Sequence, residues 1–340
     1  MLRPLICVPL AALLTSPNAD NLALRDTAGA STRCIFSVQA DRSLASIAQF
    51  VNGEDATPPG EDIEQSSSNQ FEVAIIDRID KVEDGVATLF TRTFESIEGE
   101  VAQSSKARGQ TNEANFDLIS DLSGHDVQFR LDEGEWIAEI PEGSEADAAY
   151  LPGLVANLNF SELLPAEEVA EGDEWEVSLD FISTLTRPGG ELGLHPEEQE
   201  DFNPGDALLQ PERSGSINAK YQGPSEDDPN LGVIQFEVDV VSTNDLASTL
   251  QAQIDASNGG SPKPQVQSAE RISTLKGSGT VHWGLNTHRL HTLELDCESE
   301  ETIKREMTLT PPQGQGSELS IETSQVSIGS LIIKITQEGL

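Results

Sequence analysis

Apolar and polar residues alternate with a period of two along most of this chain. In the stretch 233–241 the even-numbered positions hold Ile, Phe, Val and Val, whereas the odd-numbered positions between them hold Gln, Glu and Asp. Successive side chains of an extended strand point to opposite faces, so this alternation is typical of a strand with one buried and one solvated side. The pattern predicts a mainly β protein built on an extended antiparallel sheet.

Two hairpins are marked by their turns. Residues 127–131 and 136–140 flank the turn Asp132–Glu135, and residues 71–79 and 86–94 flank the turn Val82–Gly85. Each turn contains a glycine, which supplies the positive φ that short connections between antiparallel strands commonly need. The same alternation predicts further strands at Phe116–Leu122, Ile217–Tyr221, Ile272–Trp283, His288–Cys297, Ile303–Leu309 and Leu319–Ile335.

Helices are few in this pattern. Leu246, Leu250 and Ile254 repeat every four residues after a polar start at 243–245, and Asn258-Gly259-Gly260 is typical of a helix end. A shorter helical turn is predicted at 152–158, where Leu151, Leu154, Val155 and Leu158 share a face.

Three loops rich in Pro, Gly or acids, at 57–68, 188–211 and 311–317, interrupt the predicted strands. None of them changes the composition for long enough to mark a linker. We therefore expect residues 20–340 to form a single β-rich domain with loop insertions. Two β-subdomains divided near 188–211 are the alternative.

The charge balance narrows the range of partners. Asp and Glu number 59 against 20 Lys and Arg, which gives a formal net charge of −39. Nucleic acid is excluded as a partner because each phosphate contact needs a nearby Lys or Arg, and anionic membrane surfaces are disfavoured for the same reason. The acids mostly lie opposite apolar residues, so we interpret them as the solvated side of a sheet that tolerates a salty exterior.

The first 19 residues resemble a secretory signal peptide. Arg3 precedes the apolar run Leu5–Leu14, and the small or polar stretch Thr15–Ala19 follows it. Export to the periplasm, the cell envelope or the exterior is therefore predicted, with no integral membrane span once residues 1–19 are removed. An uncleaved anchor and a different start codon are the alternatives.

Export would leave two cysteines, Cys34 and Cys297, in an oxidising compartment. A disulfide between them would join the first strand to a late one and close a loop whose chain entropy is worth about 4–5 kcal/mol. Two unpaired, buried thiols are the equal alternative, because the sequence does not supply the spacing that a disulfide requires.

The chain carries none of the common motifs for binding phosphate, a dinucleotide or catalytic zinc, so no cofactor is predicted. One group of histidines merits attention: His282, His288 and His291 lie on either side of a predicted turn at 284–287. In the right register their imidazoles would approach one another across the hairpin and bind a transition metal. Ordinary histidines on the polar face of the sheet are the alternative.

The segment Leu164–Trp175 resembles the LP…GDxW segment of uncharacterised exported bacterial β-rich proteins. The order of the surrounding parts is also similar, from the turn at 51–55 to the strand at 277–283. Such proteins have no established activity to carry over. The resemblance implies a large curved antiparallel sheet, a half-barrel or open barrel with one or two helices on its concave side. This architecture is similar to the half-barrels of periplasmic lipoprotein carriers. The similarity concerns the architecture alone and implies no shared function.

The expected function follows from this fold. We expect an exported, non-catalytic protein that holds a hydrophobic ligand or a protein partner on the concave face. The residues predicted to line the site are Trp175, Tyr150, Leu154, Leu158, Leu250 and Ile254. Trp175 is either an anchor between strand and core or a ring on which a ligand stacks. A structural component of the envelope or matrix is one alternative, and a hydrolase with its cleft under the loop 188–211 is the other.

Overall fold

One open antiparallel sheet organises the molecule. A computed structural model describes residues 20, 22–57, 63–107, 109–156, 158, 160–165, 167–197, 211–256, 263–310 and 318–340. Within them the sheet has 14 strands, which confirms the mainly β fold expected from the alternation. The strands are β1 (Ser31–Val51), β2 (Glu54–Asp55), β3 (Ile63–Glu83), β4 (Val86–Ala107), β5 (Gln110–Ile119), β6 (Asp126–Asp132), β7 (Glu135–Glu139), β8 (Glu174–Val177), β9 (His195–Pro196), β10 (Glu212–Pro224), β11 (Leu231–Asp245), β12 (Gln265–Gly284), β13 (Arg289–Leu309) and β14 (Leu319–Gly339).

The order of the strands across the sheet is β7-β6-β4-β3-β1-β14-β13-β12-β11-β10-β8. The last long strand, β14, therefore fills the centre between β1 and β13. Three short strands lie off this path: β2 pairs with β1, β5 pairs with β4 beyond β6, and β9 pairs with β5. Strands from both sides of the segment 188–211 belong to this one sheet.

Both predicted hairpins are confirmed. Strands β6 and β7 pair up to Asp132 and Glu135, and β3 and β4 pair up to Glu83 and Val86. The two residues of each turn have positive φ, with 50° and 90° at positions 133 and 134 and 51° and 82° at positions 84 and 85. This geometry is that of the two-residue hairpin turn whose twist matches that of the strands.

Several strands are longer than the alternation predicts. The separate strands predicted at 288–297 and 303–309 form the single strand β13, and residues 63–68, predicted as loop, begin β3. These extensions are rich in Ser, Gln and Glu, and neither of their faces is buried in an apolar core. A strand exposed on both faces has no apolar side, so period two does not mark it.

Glycines inside the strands allow the sheet to curve. Gly277 and Gly279 lie in the middle of β12. A Cβ at Gly277 would collide with the backbone of β13, and one at Gly279 with the ring of Phe236. Gly329 in β14 is equally close to the backbone of β1. A Cβ at each of the three glycines would lie on the face that carries the core residues of the same strand. This face is the concave side of the sheet.

A stretch of chain covers one half of this concave face. We call residues 141–197 the covering segment, and the part of the sheet beneath it the covered half. The segment contains two 3-10 helices, Ala148–Tyr150 and Ser161–Leu163, and the short helix α1 (Phe181–Thr186), none of which the sequence predicts. Phe160 stacks on Phe36 of β1 at a centroid distance of 6.1 Å, and Phe181 meets Phe236 of β11 edge to face at 6.2 Å. The covered half is thus closed by the protein's own side chains.

A fully buried arginine fixes the covering segment to the sheet. Arg92 of β4 donates two hydrogen bonds of 2.7 Å to the carboxylate of Asp77. It also donates to the backbone carbonyls of residues 155 and 156, at 2.8 and 3.0 Å. Its guanidinium lies against the rings of Phe90 and Phe129 at 5.3 and 5.1 Å. These contacts pair the buried charge and supply partners for its donors.

The second helix, α2 (Ala247–Ala256), confirms the predicted amphipathic helix. Its start is fixed by Asp245, whose side chain accepts a hydrogen bond of 2.8 Å from the amide of Ala247. The helical turn predicted at 152–158 is wrong, because the described residues of that stretch form no helix and Leu154 forms a bridge with Gly190. Apolar spacing is also compatible with an irregular segment that packs on a sheet.

Some predictions lie outside the described residues. They are the signal peptide at 1–19, the helix end at 258–260, the loop 311–317 and residues 198–210 of the middle loop. Among the helices of the described residues, none is long and apolar enough to cross a membrane.

Candidate functional site

The concave face stays accessible where the covering segment ends. There the segment and the helix α2 face each other across a cavity of about 560 Å³, which we call the arginine cleft. Its volume lies within the range of about 300–1,000 Å³ that is usual for small-molecule sites. The cleft is lined by Phe71, Thr186, Arg187, Pro188, Gly190, Glu191, Leu192, Gly193, Leu194, Asn244, Leu246, Thr249, Leu250, Gln253, Arg271 and Arg305.

The curvature of the sheet assembles this cleft. Phe71 lies on β3, whereas Asn244, Arg271 and Arg305 lie on β11, β12 and β13. In a flat sheet β3 and β12 would be four strand spacings apart, about 19 Å. By strand alternation and register all four side chains point to the concave side, as the core residues do. Residues distant in sequence and in sheet order therefore face one small cavity.

The charge of the cleft is opposite to that of the molecule. Three arginines and one glutamate line it, in a chain whose net charge is −39. Arg187 pairs with Glu191 at 2.9 Å, and Arg271 lies 3.7 Å from Glu301. Among the described residues, no carboxylate lies within ion-pair distance of Arg305. The cleft is thus a local site of positive potential on an acidic protein.

Glu191 is the one acidic residue in the described lining of the cleft. Burial raises the pKa of its carboxyl above the ordinary value, and the neighbouring Arg187 lowers it by a smaller amount. The ion pair of Glu191 with Arg187 leaves Arg271 and Arg305 as the other cations of the cleft lining.

The opposite part of the cleft is apolar. Leu192 and Leu194 extend from the covering segment, and Leu246 and Leu250 come from the start of α2. The helix has no buried residue of its own, so its apolar side is only partly covered. Apolar side chains next to convergent cationic groups are suited to a molecule with an alkyl part and an acidic part.

The structure separates the six residues predicted to form the ligand site. Leu250 lines the arginine cleft. Leu154 and Leu158 line a smaller neighbouring cavity of about 290 Å³, which shares Arg187, Gly190 and Glu191 with the cleft. Ile254 lies half-buried on α2, outside the cleft lining.

The two predicted aromatic residues have internal partners. Tyr150 donates a hydrogen bond of 2.5 Å to the carboxylate of Asp121, which raises the pKa of the phenol to about 12. The indole N–H of Trp175 donates to the carbonyl of Leu163 at 2.8 Å. Trp175 therefore anchors β8 to the 3-10 helix Ser161–Leu163, and it also contributes to the lining of a cavity of about 720 Å³ that crosses β8, β10, β11 and β12.

The three histidines do not form a metal site. His282 forms a hydrogen bond of 2.9 Å between its Nδ1 and the hydroxyl of Thr292, across the β12–β13 pair. His288 lies in the turn with a φ of 54°, and burial lowers its pKa. His291 is exposed and faces the charge of Asp228. Among the described residues, no three His, Cys, Asp or Glu side chains are grouped as metal ligands.

Of the two equal alternatives for Cys34 and Cys297, the structure has the free, buried thiols. Strand β14 separates them: Cys34 lies opposite Gln337, and Cys297 opposite Leu331. Those two positions differ by six residues, or about 20 Å along the strand, whereas a disulfide needs Cα atoms within about 7 Å. Burial raises the pKa of both thiols, that of Cys297 to about 11.

A second cavity lies on the convex side. It has a volume of about 720 Å³ and crosses β8, β10, β11 and β12. Its charged lining consists of Glu174, Glu176, Glu237 and Lys220, and Lys220 already pairs with Glu174 at 2.7 Å. The net charge of this groove is negative, as is that of the whole molecule. A cationic ligand would therefore be attracted to much of the protein surface and not to this groove in particular.

Sequence reasoning missed the three arginines of the cleft. Arg271 and Arg305 occupy positions that strand alternation assigns to the core side, in a chain with few basic residues. A basic residue at a core-facing position of a strand was therefore the signal that could have indicated the cleft. Whether Arg271 and Arg305 lie close together depends on the register of β12 and β13, which the sequence does not supply.

Comparisons with known proteins add little. No protein-family model matches the chain, and no curated protein matches it. An outer membrane channel from Pseudomonas putida F1 aligns with 7% identity over 92% of this chain and 97% of its own, with a TM-score of 0.21. The secretin domain β-barrel of InvG from the Salmonella SPI-1 injectisome aligns with 8% identity over 93% of this chain and 64% of its own, with a TM-score of 0.17. Likenesses this weak carry no argument.

Proposed function

We propose that this protein is an exported, non-catalytic binding protein that holds an acidic amphiphile in the arginine cleft. The observation that carries the proposal is the gathering of three arginines beside an apolar wall in a chain of net charge −39. It refines the expected hydrophobic ligand by adding an anionic group. Export rests on the first 19 residues.

The two parts of the cleft would bind the two parts of the ligand. The anionic group would be placed beside Arg305, which lacks a described carboxylate partner, and Arg271, whose nearest carboxylate oxygen is 3.7 Å away. The alkyl chain would lie along Leu246 and Leu250 of α2. A guanidinium binds a carboxylate or phosphate through charge-assisted hydrogen bonds, each worth about 1.5–3 kcal/mol.

The two alternative functions, a hydrolase and a structural component, would each require a different arrangement of residues at the arginine cleft. A hydrolase would need a second catalytic group, whereas Glu191 is the single carboxylate of the described cleft lining and is paired with Arg187. A purely structural component would need no cavity, which fits the covered half but leaves the arginine cleft without a role.

Binding of dodecyl phosphate, followed by isothermal titration calorimetry, tests the proposal. We expect saturable 1:1 binding that Arg305→Gln weakens about 10-fold or more, because loss of one charge-assisted contact of about 1.4 kcal/mol corresponds to that factor. Arg130→Gln is the matched control, since Arg130 lies on the convex side of β6 and pairs with Asp132 and Glu139.

A neutral ligand of the same length separates charge from apolar contact. Dodecanol should bind the wild type and the Arg305→Gln variant equally. Absence of saturable dodecyl phosphate binding would overturn the proposal. So would equal losses in Arg305→Gln and Arg130→Gln.

A further inference from the structure

A further cavity on the concave face lies beyond the arginine cleft, where the strands leave the covered half. It has a volume of about 400 Å³, and we call it the polar trough. Most of its lining side chains are neutral groups that both donate and accept hydrogen bonds, among them Gln65, Ser67, Gln103, Ser105, Asn112 and Ser327. Together they span β5, β4, β3 and β14.

The curved sheet gathers these groups as it gathers the arginines. Gln325 of β14 and Gln65 of β3 lie two strands apart, yet the amide of Gln325 donates to the side-chain oxygen of Gln65 at 3.5 Å. Both point to the concave side by register with β1. The trough is therefore a surface of amides and hydroxyls on one wall of the half-barrel.

The trough is suited to an uncharged, hydroxyl-rich group. Its arginine, Arg42, is already paired with Glu301 at 3.2 Å, so among the described lining residues no free cation remains to select an anion. The other charged lining residue, Glu113, belongs to the convex side by the alternation of β5. Side-chain amides and hydroxyls can pair with both the donor and the acceptor of each hydroxyl on a sugar. Phe116, two residues from Ala114 on the same face of β5, adds an exposed ring beside the trough.

One glutamate joins the trough to the arginine cleft. Glu301 contacts Arg42 of the trough at 3.2 Å and Arg271 of the cleft at 3.7 Å. In the order of the sheet, Arg271 on β12 and Arg305 on β13 lie between β11, which α2 follows directly, and β14, which carries Gln325 and Ser327 of the trough. The arginines therefore lie between Leu246 and Leu250 on one side and the neutral groups of the trough on the other.

This order specifies the ligand class. We infer that the protein binds a phosphoglycolipid, in which a phosphodiester joins an alkyl chain to a sugar: the chain lies in the arginine cleft, the phosphodiester at Arg271 and Arg305, and the sugar in the polar trough. An anion held between two other groups must be bonded to both of them, which a phosphodiester permits and a terminal carboxylate does not. The inference rests on the function proposed above and assigns the trough a role that the proposal does not need.

Calorimetry with two probes tests the inference. We expect dodecyl phosphoglucose, the phosphodiester of dodecanol and glucose, to bind about 10-fold or more tightly than dodecyl phosphate, because the sugar adds hydrogen bonds worth about 1.4 kcal/mol together. The double variant Gln65→Ala/Gln103→Ala should abolish this increment and leave the affinity for dodecyl phosphate unchanged. Gln70→Ala is the matched control, since Gln70 lies on β3 but faces the convex side.

The outcomes separate the two proposals. If dodecyl phosphate binds through Arg305 but the sugar adds no affinity, the phosphoglycolipid inference is overturned and the proposed function stands. Equal effects of the trough variants and of Gln70→Ala would also overturn it. If neither probe binds, both proposals fall. Circular dichroism and thermal unfolding of each variant establish that the fold is retained.

Discussion

At the scale of single residues, Arg92 shows how a buried charge can hold two parts of a fold together. Its guanidinium is fully buried, and its partners are a carboxylate on β3 and two carbonyls of the covering segment. The net worth of a buried ion pair is small, but removal of one partner leaves the other charge without compensation.

We expect Arg92→Ala to destabilise the protein by about 3–5 kcal/mol, because Asp77 would lose its cation and two carbonyls would lose their donors. Urea unfolding followed by circular dichroism measures the change. Arg78→Ala is the control, since Arg78 makes its ion pair with Asp80 at the surface. Equal midpoints for the two variants would show that Arg92 does not anchor the covering segment.

The thiols provide a pH test of burial. Burial raises the pKa of Cys297 to about 11 and that of Cys34 further. Because the native state favours the neutral thiol, this contribution to stability is complete below the unfolded pKa of about 8.5 and is lost as the pH rises towards 11. We therefore expect the free energy of unfolding to decline above about pH 9.

Alkylation of the same thiols by iodoacetamide gives a direct readout. At pH 8 we expect native Cys34 and Cys297 to react about 100-fold or more slowly than in the urea-unfolded chain, because thiolate is the reactive species. Peptide mass spectrometry without a reductant identifies each site. A Cys34–Cys297 disulfide peptide, or equal rates in the native and unfolded chain, would contradict the buried free thiols.

At the scale of elements, the hairpin turns show what the sequence determines well. The pair Asp84-Gly85 predicted the β3–β4 turn, and both residues have positive φ. The predicted strands around such turns are confirmed because a local rule fixes them. Period two also located the covered parts of the strands, where one face is apolar.

We expect Gly85→Ala to destabilise the protein by about 1–2 kcal/mol, since alanine is strained at positive φ. Gly339→Ala is a matched control: a Cβ would meet no atom within 4 Å at either glycine, but only Gly85 has positive φ. Chemical unfolding of both variants measures the difference. A loss of equal size at Gly339 would mean that backbone strain is not the cause.

Elements that depend on distant packing were not predicted. Helix α1 has six residues, of which Phe181, Ile182 and Leu185 are buried against the sheet. So short a helix has little intrinsic stability in water and forms because the concave face accepts its apolar side. Residues 63–68 of β3 and 298–302 of β13 were missed for the opposite reason, since they have no apolar face.

At the scale of the whole molecule, curvature and charge together make the candidate site. Glycines such as Gly277 and Gly329 let the strands approach closely and bend, which the alternation of side chains does not encode. The arginine cleft follows from that bend. The sequence predicted an apolar concave face, but the covering segment occupies most of it and the remaining site is amphipathic.

The net charge should also govern stability as a whole. We expect the thermal midpoint to rise as sodium chloride increases from about 10 to 150 mM, because the screening length falls from roughly 30 to 8 Å and self-repulsion weakens. Sucrose at matched osmolality is the control for solvent effects. An unchanged or lower midpoint in salt would show that the −39 charge does not oppose folding.

The central claim is that the arginine cleft binds an acidic amphiphile, and a crystal structure with a bromine-labelled dodecyl phosphate tests it most directly. Anomalous scattering would locate the bromine at the end of the alkyl chain, and electron density would locate the phosphate. We predict phosphate oxygens about 3 Å from the guanidinium nitrogens of Arg305 and Arg271, with the bromine beside Leu250. A phosphate bound elsewhere, such as beside Lys220 on the convex side, with the cleft empty, would contradict the account.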